Sequence, residues 1–156
     1  MLLILGVLGA FDTFYYHEWK LRLPAHPEAR KELKLHALRD FFYTVIFGSI
    51  AWLRWEGALA FVFGAIFLTE IAITISDFIE EDGSRRLPPG ERAMHTIMAL
   101  LYGAFLARLA PELLAWSKLP TGFSTISHGL ISLALSVFAI GVFLSGVRDL
   151  IASIKK

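Results

Sequence analysis

The stretch TEIAITISDFIEEDGSRRLPPGERAMH, residues 69–95, joins two apolar helices through one short charged turn. A glycine and two adjacent prolines mark the turn, because neither residue type continues a helix readily. Before the turn, Glu70 and Asp77 lie two helical turns apart on one face. After it, Glu91 and His95 share a face at i, i+4 spacing. The spacing therefore directs acidic and imidazole side chains from two neighbouring helices toward one part of the fold.

The composition of the whole chain is typical of a membrane protein. Of the 156 residues, 56% are hydrophobic and 19% are charged, whereas a soluble domain carries about 25% charged residues. We predict an all-α integral membrane protein, with residues 1–156 forming one compact bundle of five transmembrane helices. A net charge of +1 and the lack of a basic, aromatic groove exclude a nucleic-acid partner. The absence of cysteine excludes disulfides, thiolate metal sites and a cysteine nucleophile.

Five apolar runs define the predicted spans, at about residues 1–19, 36–55, 57–79, 91–116 and 124–147. Their lengths approach or exceed the roughly 20 residues that a helix needs to cross a bilayer. Residues 20–35, between the first two spans, form a basic amphipathic segment that prolines interrupt. Because the first run lacks a basic region before it, we predict an uncleaved span there and not a signal peptide.

Basic residues are distributed unevenly between the two ends of this predicted bundle. One side carries Lys20, Arg22, Arg30, Lys31, Lys34, Arg39, Arg85, Arg86, Arg92, Arg148, Lys155 and Lys156, and the other carries Arg54 and Lys118. Cytoplasmic loops are enriched in Lys and Arg. We therefore predict a multi-pass protein of the cell membrane, with the N-terminus outside and the C-terminus and residues 20–35 in the cytoplasm.

This topology places seven ionisable residues in the cytoplasmic half of the bundle: Asp12, His36, Asp40, Glu70, Asp77, Glu91 and His95. A carboxylate within the bilayer costs at least about 2.5–3.5 kcal/mol on insertion scales, so it needs a partner. Carboxylates and imidazoles are ligands for iron, manganese and zinc. We predict that the seven residues bind one or two divalent metal ions, with iron favoured over zinc or manganese. If Glu70 bridges two ions, Glu70→Gln abolishes metal binding.

Other polar residues are expected to have no role in the site. Glu18, Glu80, Glu81, Asp82 and Asp149 are interpreted as solvated interfacial charge, and His17 and His26 as interface residues. Tyr43 and Tyr102 follow the acidic faces one or two turns deeper. As core aromatic residues they need no function, although a redox site would use them.

The predicted function is that of a membrane metal-dependent enzyme, of di-iron oxidoreductase or hydroxylase type. Di-iron carboxylate bundles also direct acids and histidines inward from four helices, although their Glu-x-x-His spacing is absent here. An apolar lipid-like or quinone substrate would reach the metal from the bilayer, between helices. Two alternatives use the same residues: a proton- or ion-coupled small carrier acting as a homodimer, and a subunit of a larger membrane complex that binds haem b through His36 and His95. The pattern assigns no catalytic group beyond these ligands.

Overall fold

The computed structural model describes residues 1–155, and most of that range is helical. The helices are α1 (Leu2–Phe11), a π-helix (Asp12–Lys20), two 3-10 turns (Leu23–Ala25 and Pro27–Ala29), α2 (Arg30–Trp52), α3 (Ala58–Ser84), α4 (Pro89–Trp116) and α5 (Leu130–Ile154). The prediction of an all-helical bundle is confirmed. Lys156, which was counted in the charge asymmetry, lies outside the described residues.

Within residues 1–155, three helices are long and apolar enough to cross a membrane. These are α3, α4 and α5, which have 27, 28 and 25 residues. The first predicted span consists of a 10-residue α-helix followed by the π-helix, and α2 begins with a charged half. Length and composition therefore support a membrane protein with three clear candidate spans, and α1 and α2 complete the helical bundle.

The π-helix changes which residues of the first segment share a face. Each backbone N–H in a π-helix bonds the carbonyl five residues earlier, so residues five apart come close together. Asp12 and His17 are both buried, and Asp12 Oδ2 lies 3.5 Å from His17 Nε2. An α-helix would separate the same two residues by about 140° around its axis. The wider winding therefore brings both side chains toward the interior.

A short antiparallel ladder joins two connections at the end of the bundle where α2 ends. Strand β1 (Leu53–Glu56) pairs with β2 (Gly122–Thr125). The predicted second and fifth spans ran into these residues, but α2 stops at Trp52 and α5 begins only at Leu130. Gly57 and Gly129, which directly precede α3 and α5, have φ angles of 61° and 60°, a region of backbone conformation that favours glycine.

Helix α2 lies centrally and packs mainly against α5 and α3. A Cβ atom at Gly146 of α5 would lie 3.1 Å from the Asp40 side chain and 3.2 Å from the Ala37 carbonyl oxygen. The missing side chain thus permits close approach of the two helices, as small residues do between membrane helices. Aliphatic and aromatic side chains, among them Ile46, Phe47 and Phe63, fill the half of the core nearer the ladder. The other half contains the polar residues.

Candidate metal centre

Buried ionisable side chains gather at the end of the bundle where α3 ends and α4 begins. This polar cluster consists of Asp12, His17, Glu32, His36, Asp77, Glu81, Glu91, His95 and Asp149, together with the guanidinium groups of Arg39 and Arg85. Its acids and histidines are at most 6% exposed. The π-helix, α2, α3, α4 and α5 all contribute, so the fold brings together residues that are far apart in the chain.

A first ligand group within the polar cluster comprises His17, Glu81, Glu91 and His95. Each offers one ligand atom, and these atoms lie within 4.8 Å of one another. Glu81 Oε2 lies 3.4 Å from His95 Nδ1, and Glu91 Oε1 lies 3.6 Å from His17 Nε2. The turn between α3 and α4 places Glu81 beside the Glu91/His95 face, and the π-helix supplies His17. Two imidazoles and two carboxylates form a ligand set that suits iron, manganese or zinc.

A second ligand group comprises Glu32, His36 and Glu81, again with ligand atoms within 4.8 Å of one another. Glu32 and His36 lie one turn apart on α2 and therefore share a face. His36 Nε2 lies 3.5 Å from Glu81 Oε1. Glu81 thus belongs to both ligand groups, and each of its oxygens faces a different one.

Several potential ligand atoms have unused hydrogen-bonding capacity. Among the described residues, both oxygens of Glu81 and the Nε2 atoms of His17 and His36 make no hydrogen bond. His36 Nε2 lies 3.1 Å from Asp77 Oδ2. This distance is typical of an ion pair, although the two atoms do not form a hydrogen bond. Because buried polar groups are normally paired, these atoms require a further partner, either a proton or a cation.

Further carboxylates contact the histidines of both ligand groups. Asp12 Oδ2 lies 3.2 Å from His95 Nε2, while the other ring nitrogen of His95 faces Glu81. Asp149 Oδ2 lies 3.9 Å from His36 Nδ1. Metal-binding histidines commonly hold a carboxylate on the nitrogen away from the metal, which fixes the tautomer and ring orientation. His95 has this arrangement, with Nδ1 left for a metal.

Arg85, in the turn between α3 and α4, connects the two ligand groups. Its Nη2 atom donates to Glu32 Oε1 at 2.9 Å and to Glu91 Oε1 at 2.7 Å, and its Nη1 atom donates to Glu91 Oε2 at 3.0 Å. Burial alone would lower the pKa of the guanidinium, but its hydrogen bonds to Glu91 and Glu32 raise the pKa above the usual value. Arg85 therefore stays charged and fixes one carboxylate of each group through strong, charge-assisted hydrogen bonds.

The seven residues predicted from the sequence occupy three kinds of position. His36, Glu91 and His95 belong to the ligand groups. Asp12 and Asp77 lie in the polar cluster and contact His95 and His36. Two others lie deeper: Asp40 is half-buried against Gly146, and Glu70 belongs to a separate set of side chains.

Glu70 lies in the bundle about 16 Å from Glu81 along α3, at 1.5 Å per residue. We call Glu70, Tyr43, Thr74 and Tyr102 the Glu70 group. Thr74 Oγ1 donates to Glu70 Oε1 at 2.6 Å, and the two tyrosine rings lie 5.9 Å apart. In the described part of the chain, Glu70 Oε2 and the Tyr102 hydroxyl have no hydrogen-bond partner, and no basic side chain forms an ion pair with Glu70.

The expectation that Glu81, Asp149 and His17 are interfacial is wrong, since each is at most 3% exposed. Glu81 follows another glutamate and precedes Asp82, so it resembled part of a solvated charge run. Its spacing of four residues from Asp77 was the signal for a buried face. Glu32, which was not considered, shows the same signal, because it lies four residues before His36. His17 gives no such signal, because its face depends on the π-helix.

The polar cluster holds more negative than positive charge. Its six buried carboxylates face the guanidinium groups of Arg39, Arg85 and Arg148. Protons on the histidines or divalent cations can neutralise the excess, and the two compete because metal ligation requires a neutral imidazole.

Comparisons with protein families, curated proteins and solved structures give no match for this chain.

Proposed function

We propose that the protein is a membrane-embedded, metal-dependent enzyme whose metal binds at the first ligand group. The observation that carries this proposal is Glu81, which is 1% exposed and, within residues 1–155, has no hydrogen bond on either carboxylate oxygen. In that part of the chain, its ion-pair contacts are the longer ones with His36, His95 and Arg85, at 3.4–3.6 Å. A nitrogen and oxygen ligand set without thiolate suits iron, which supplies redox and oxygen chemistry in an oxidoreductase or hydroxylase. The chain's own residues hold the ion, fix the histidine tautomers and exclude water.

An apolar substrate fits this proposal better than a polar one. The polar cluster lies inside a helical bundle whose outer surface is largely aliphatic, and three of the helices can cross a membrane. A lipid-like or quinone substrate can reach such a site from the bilayer between helices. We also propose that all five helical segments insert into the cell membrane, with α1 and the π-helix forming the first span.

The geometry supports one of the two alternative functions, the carrier, better than the haem-binding subunit. For haem b bound between His36 and His95, the porphyrin would have to lie where Glu81 lies, because this carboxylate is 3.5 Å from one imidazole and 3.4 Å from the other. The geometry therefore favours metal ions. A proton- or ion-coupled carrier gains support from the Glu70 group, which extends buried acids toward the middle of the bundle.

Metal analysis of the full-length protein, purified in detergent without chelator, tests the proposal. We expect stoichiometric iron, zinc or manganese and no Soret band. Glu112→Gln, an exposed control on α4, should keep the parent's metal content, whereas Glu91→Gln should lose metal.

Oxygen uptake by the reduced, iron-loaded protein on addition of a quinol or an unsaturated lipid tests the oxidoreductase assignment. Protein that binds no added divalent metal would contradict the proposal and leave the carrier.

The proposed orientation predicts the labelling of single cysteines, which are unique because the chain has no cysteine. Lys34 is exposed on α2 near the polar cluster, and Lys118 is exposed near the ladder at the opposite end. A membrane-impermeant maleimide should label Lys118→Cys in intact cells and Lys34→Cys only after permeabilisation, because the basic end faces the cytoplasm. The reverse labelling pattern would show that the protein has the opposite orientation. Labelling of both cysteine variants in intact cells would contradict the spanning arrangement.

Glu70→Gln should retain both the fold and the bound metal. Glu70 lies about 16 Å along α3 from Glu81 and outside both ligand groups, and a neutral amide keeps the shape of the side chain. We expect a change in unfolding free energy within about 1 kcal/mol, since only the hydrogen bond from Thr74 is at stake and an amide oxygen can still accept it. Metal content and thermal unfolding in detergent measure both effects. Loss of metal from this variant would show that Glu70 reaches the ion after all.

A further inference from the structure

We infer that the chain binds a second divalent cation at the second ligand group, so that the metal centre is dinuclear with Glu81 as the bridging ligand. This inference rests on the proposed function, because the first ion occupies the group that contains His17, Glu91 and His95. Glu81 Oε1 faces His36 Nε2 at 3.5 Å, and Glu81 Oε2 faces His95 Nδ1 at 3.4 Å. The two oxygens of one carboxylate are thus directed to different ligand sets.

Dinuclear centres in enzymes hold their ions about 3.5–4 Å apart, a separation that a bridging carboxylate spans by giving one oxygen to each ion. Glu81 meets this requirement, because neither oxygen makes a hydrogen bond in the described part of the chain. If Glu81 served the first ion alone, its Oε1 atom would stay buried without a hydrogen bond, at a cost that the contacts with His36 Nε2 at 3.5 Å and Arg85 Nη2 at 3.6 Å only partly offset. That cost disappears when a second cation takes this oxygen.

The histidines support two neighbouring positions and not one. The rings of His17 and His36 stack with centroids 4.5 Å apart and an angle of 19° between their planes. His17 belongs to the first ligand group and His36 to the second. Neither Nε2 atom makes a hydrogen bond among the residues described, and each faces carboxylate oxygens at 3.1–3.6 Å. A neutral imidazole in each position can therefore bind an ion beside those carboxylates. Each ion then has at least one imidazole from a different helical segment.

Glu32 completes the second group without losing its contact with Arg85. Both of its oxygens accept hydrogen bonds from the guanidinium, at 3.1 Å or less for Oε1 and 3.3 Å for Oε2. A carboxylate has about four lone-pair sites, so Glu32 can bind a cation on the side away from Arg85. The same guanidinium also holds Glu91, which fixes the spacing between one ligand of each ion.

A cavity borders the second ligand group at Glu32. Its volume is about 180 Å³, and it runs beside Glu32 and Arg85 to the exposed pair His26 and Glu28. A water molecule occupies about 30 Å³ in the liquid, so several waters fit in this space. His26 Nδ1 and Glu28 Oε1 lie 3.0 Å apart in the exposed part of this lining, where an imidazole and a carboxylate can contact a hydrated ion.

Titration of the metal-free, full-length protein with Mn²⁺ tests the inference through stoichiometry and electron paramagnetic resonance. The parent should bind two ions per chain and show the exchange-coupled spectrum of a manganese pair. Glu32→Gln and His36→Gln should each bind one ion and show an uncoupled spectrum. The matched control is Glu80→Gln, which removes a carboxylate next to Glu81 that pairs with Lys31 at the surface, and it should still bind two.

The outcomes separate this inference from the proposed function. A parent with one ion, unchanged in Glu32→Gln and His36→Gln, would overturn the second site and leave the metalloenzyme proposal intact. A parent that binds no ion would overturn both. If the parent and both variants bind two ions, or if both variants lose every ion while circular dichroism shows them folded, the assignment of a separate second position is wrong.

Discussion

Glu81→Gln is expected to fold and to lose both metal ions. Glu81 is the one residue common to the two ligand groups in the described part of the chain, and each of its oxygens faces a different group. Replacing a residue that only supports a ligand already costs 10–100-fold in metal affinity. Loss of a shared ligand should therefore lower the affinity for both ions by more than about 100-fold. Metal content after dialysis and Mn²⁺ titration measure the change.

Glu80→Gln is the matched control for this variant. It changes the adjacent residue of α3 in the same way, but its carboxylate pairs with Lys31 at the surface, so metal binding should not change. The fold of Glu81→Gln should survive because a neutral amide is easier to bury than a carboxylate that makes no hydrogen bond, and the amide keeps the shape of the side chain. If Glu81→Gln keeps the parent's affinity, the ligand groups do not bind metal and the polar cluster is a network of charges and protons.

Arg85→Ala is expected to destabilise the metal-free protein by about 3–5 kcal/mol, the usual cost of removing one partner of a buried ion pair. Glu32 and Glu91 both accept hydrogen bonds from the Arg85 guanidinium, and the substitution removes it. Added divalent cations should recover much of the lost stability, because they neutralise the same carboxylates and bind only the folded chain. Thermal unfolding in detergent, with and without Mn²⁺, measures both effects.

Arg86→Ala provides the comparison, because Arg86 is the next residue in the same turn but is exposed. Its effect should stay within about 0.5 kcal/mol, as for most surface substitutions. Equal unfolding temperatures for the two variants would show that Arg85 does not stabilise the ligand groups. Failure of Mn²⁺ to stabilise Arg85→Ala would instead argue against cation binding beside Glu32 and Glu91.

The helices were predictable because their signals are local. Long apolar runs and the two prolines of the stretch 69–95 indicated α3, the turn and α4, and the structure places the turn between Ser84 and Pro89. The expectation that Gly83 belongs to the turn is wrong, because α3 continues through it to Ser84. The β1–β2 ladder was not predictable, because its two four-residue strands are far apart in the chain and pair only after the helices pack. The π-helix also has no periodicity that distinguishes it from an apolar α-helix.

The site was predictable to the extent that helical spacing identifies a common face. That spacing indicated His36, Asp77, Glu91 and His95, which all lie in the polar cluster. Helical spacing shows which side of a helix a residue lies on, but it does not show whether residues of different helices meet. The prediction therefore included Glu70, which shares the face of Asp77 but lies deeper in the bundle. Burial of Glu81 depends on the packing of α2 and α4 around the last turn of α3, which no single segment of sequence reveals.

The β1–β2 ladder has a consequence for motion in the bundle. Its strands connect the α2–α3 and α4–α5 links, and further bonds run from Gly57 N to Trp116 O and from Ile126 N to Trp52 O. This end is held by main-chain hydrogen bonds, whereas side-chain charges hold the other. A gain or loss of cations acts on the charged end alone. We therefore expect the ladder to be the hinge, with helix separation greatest at the α3–α4 turn when the polar cluster binds or releases the proposed cations.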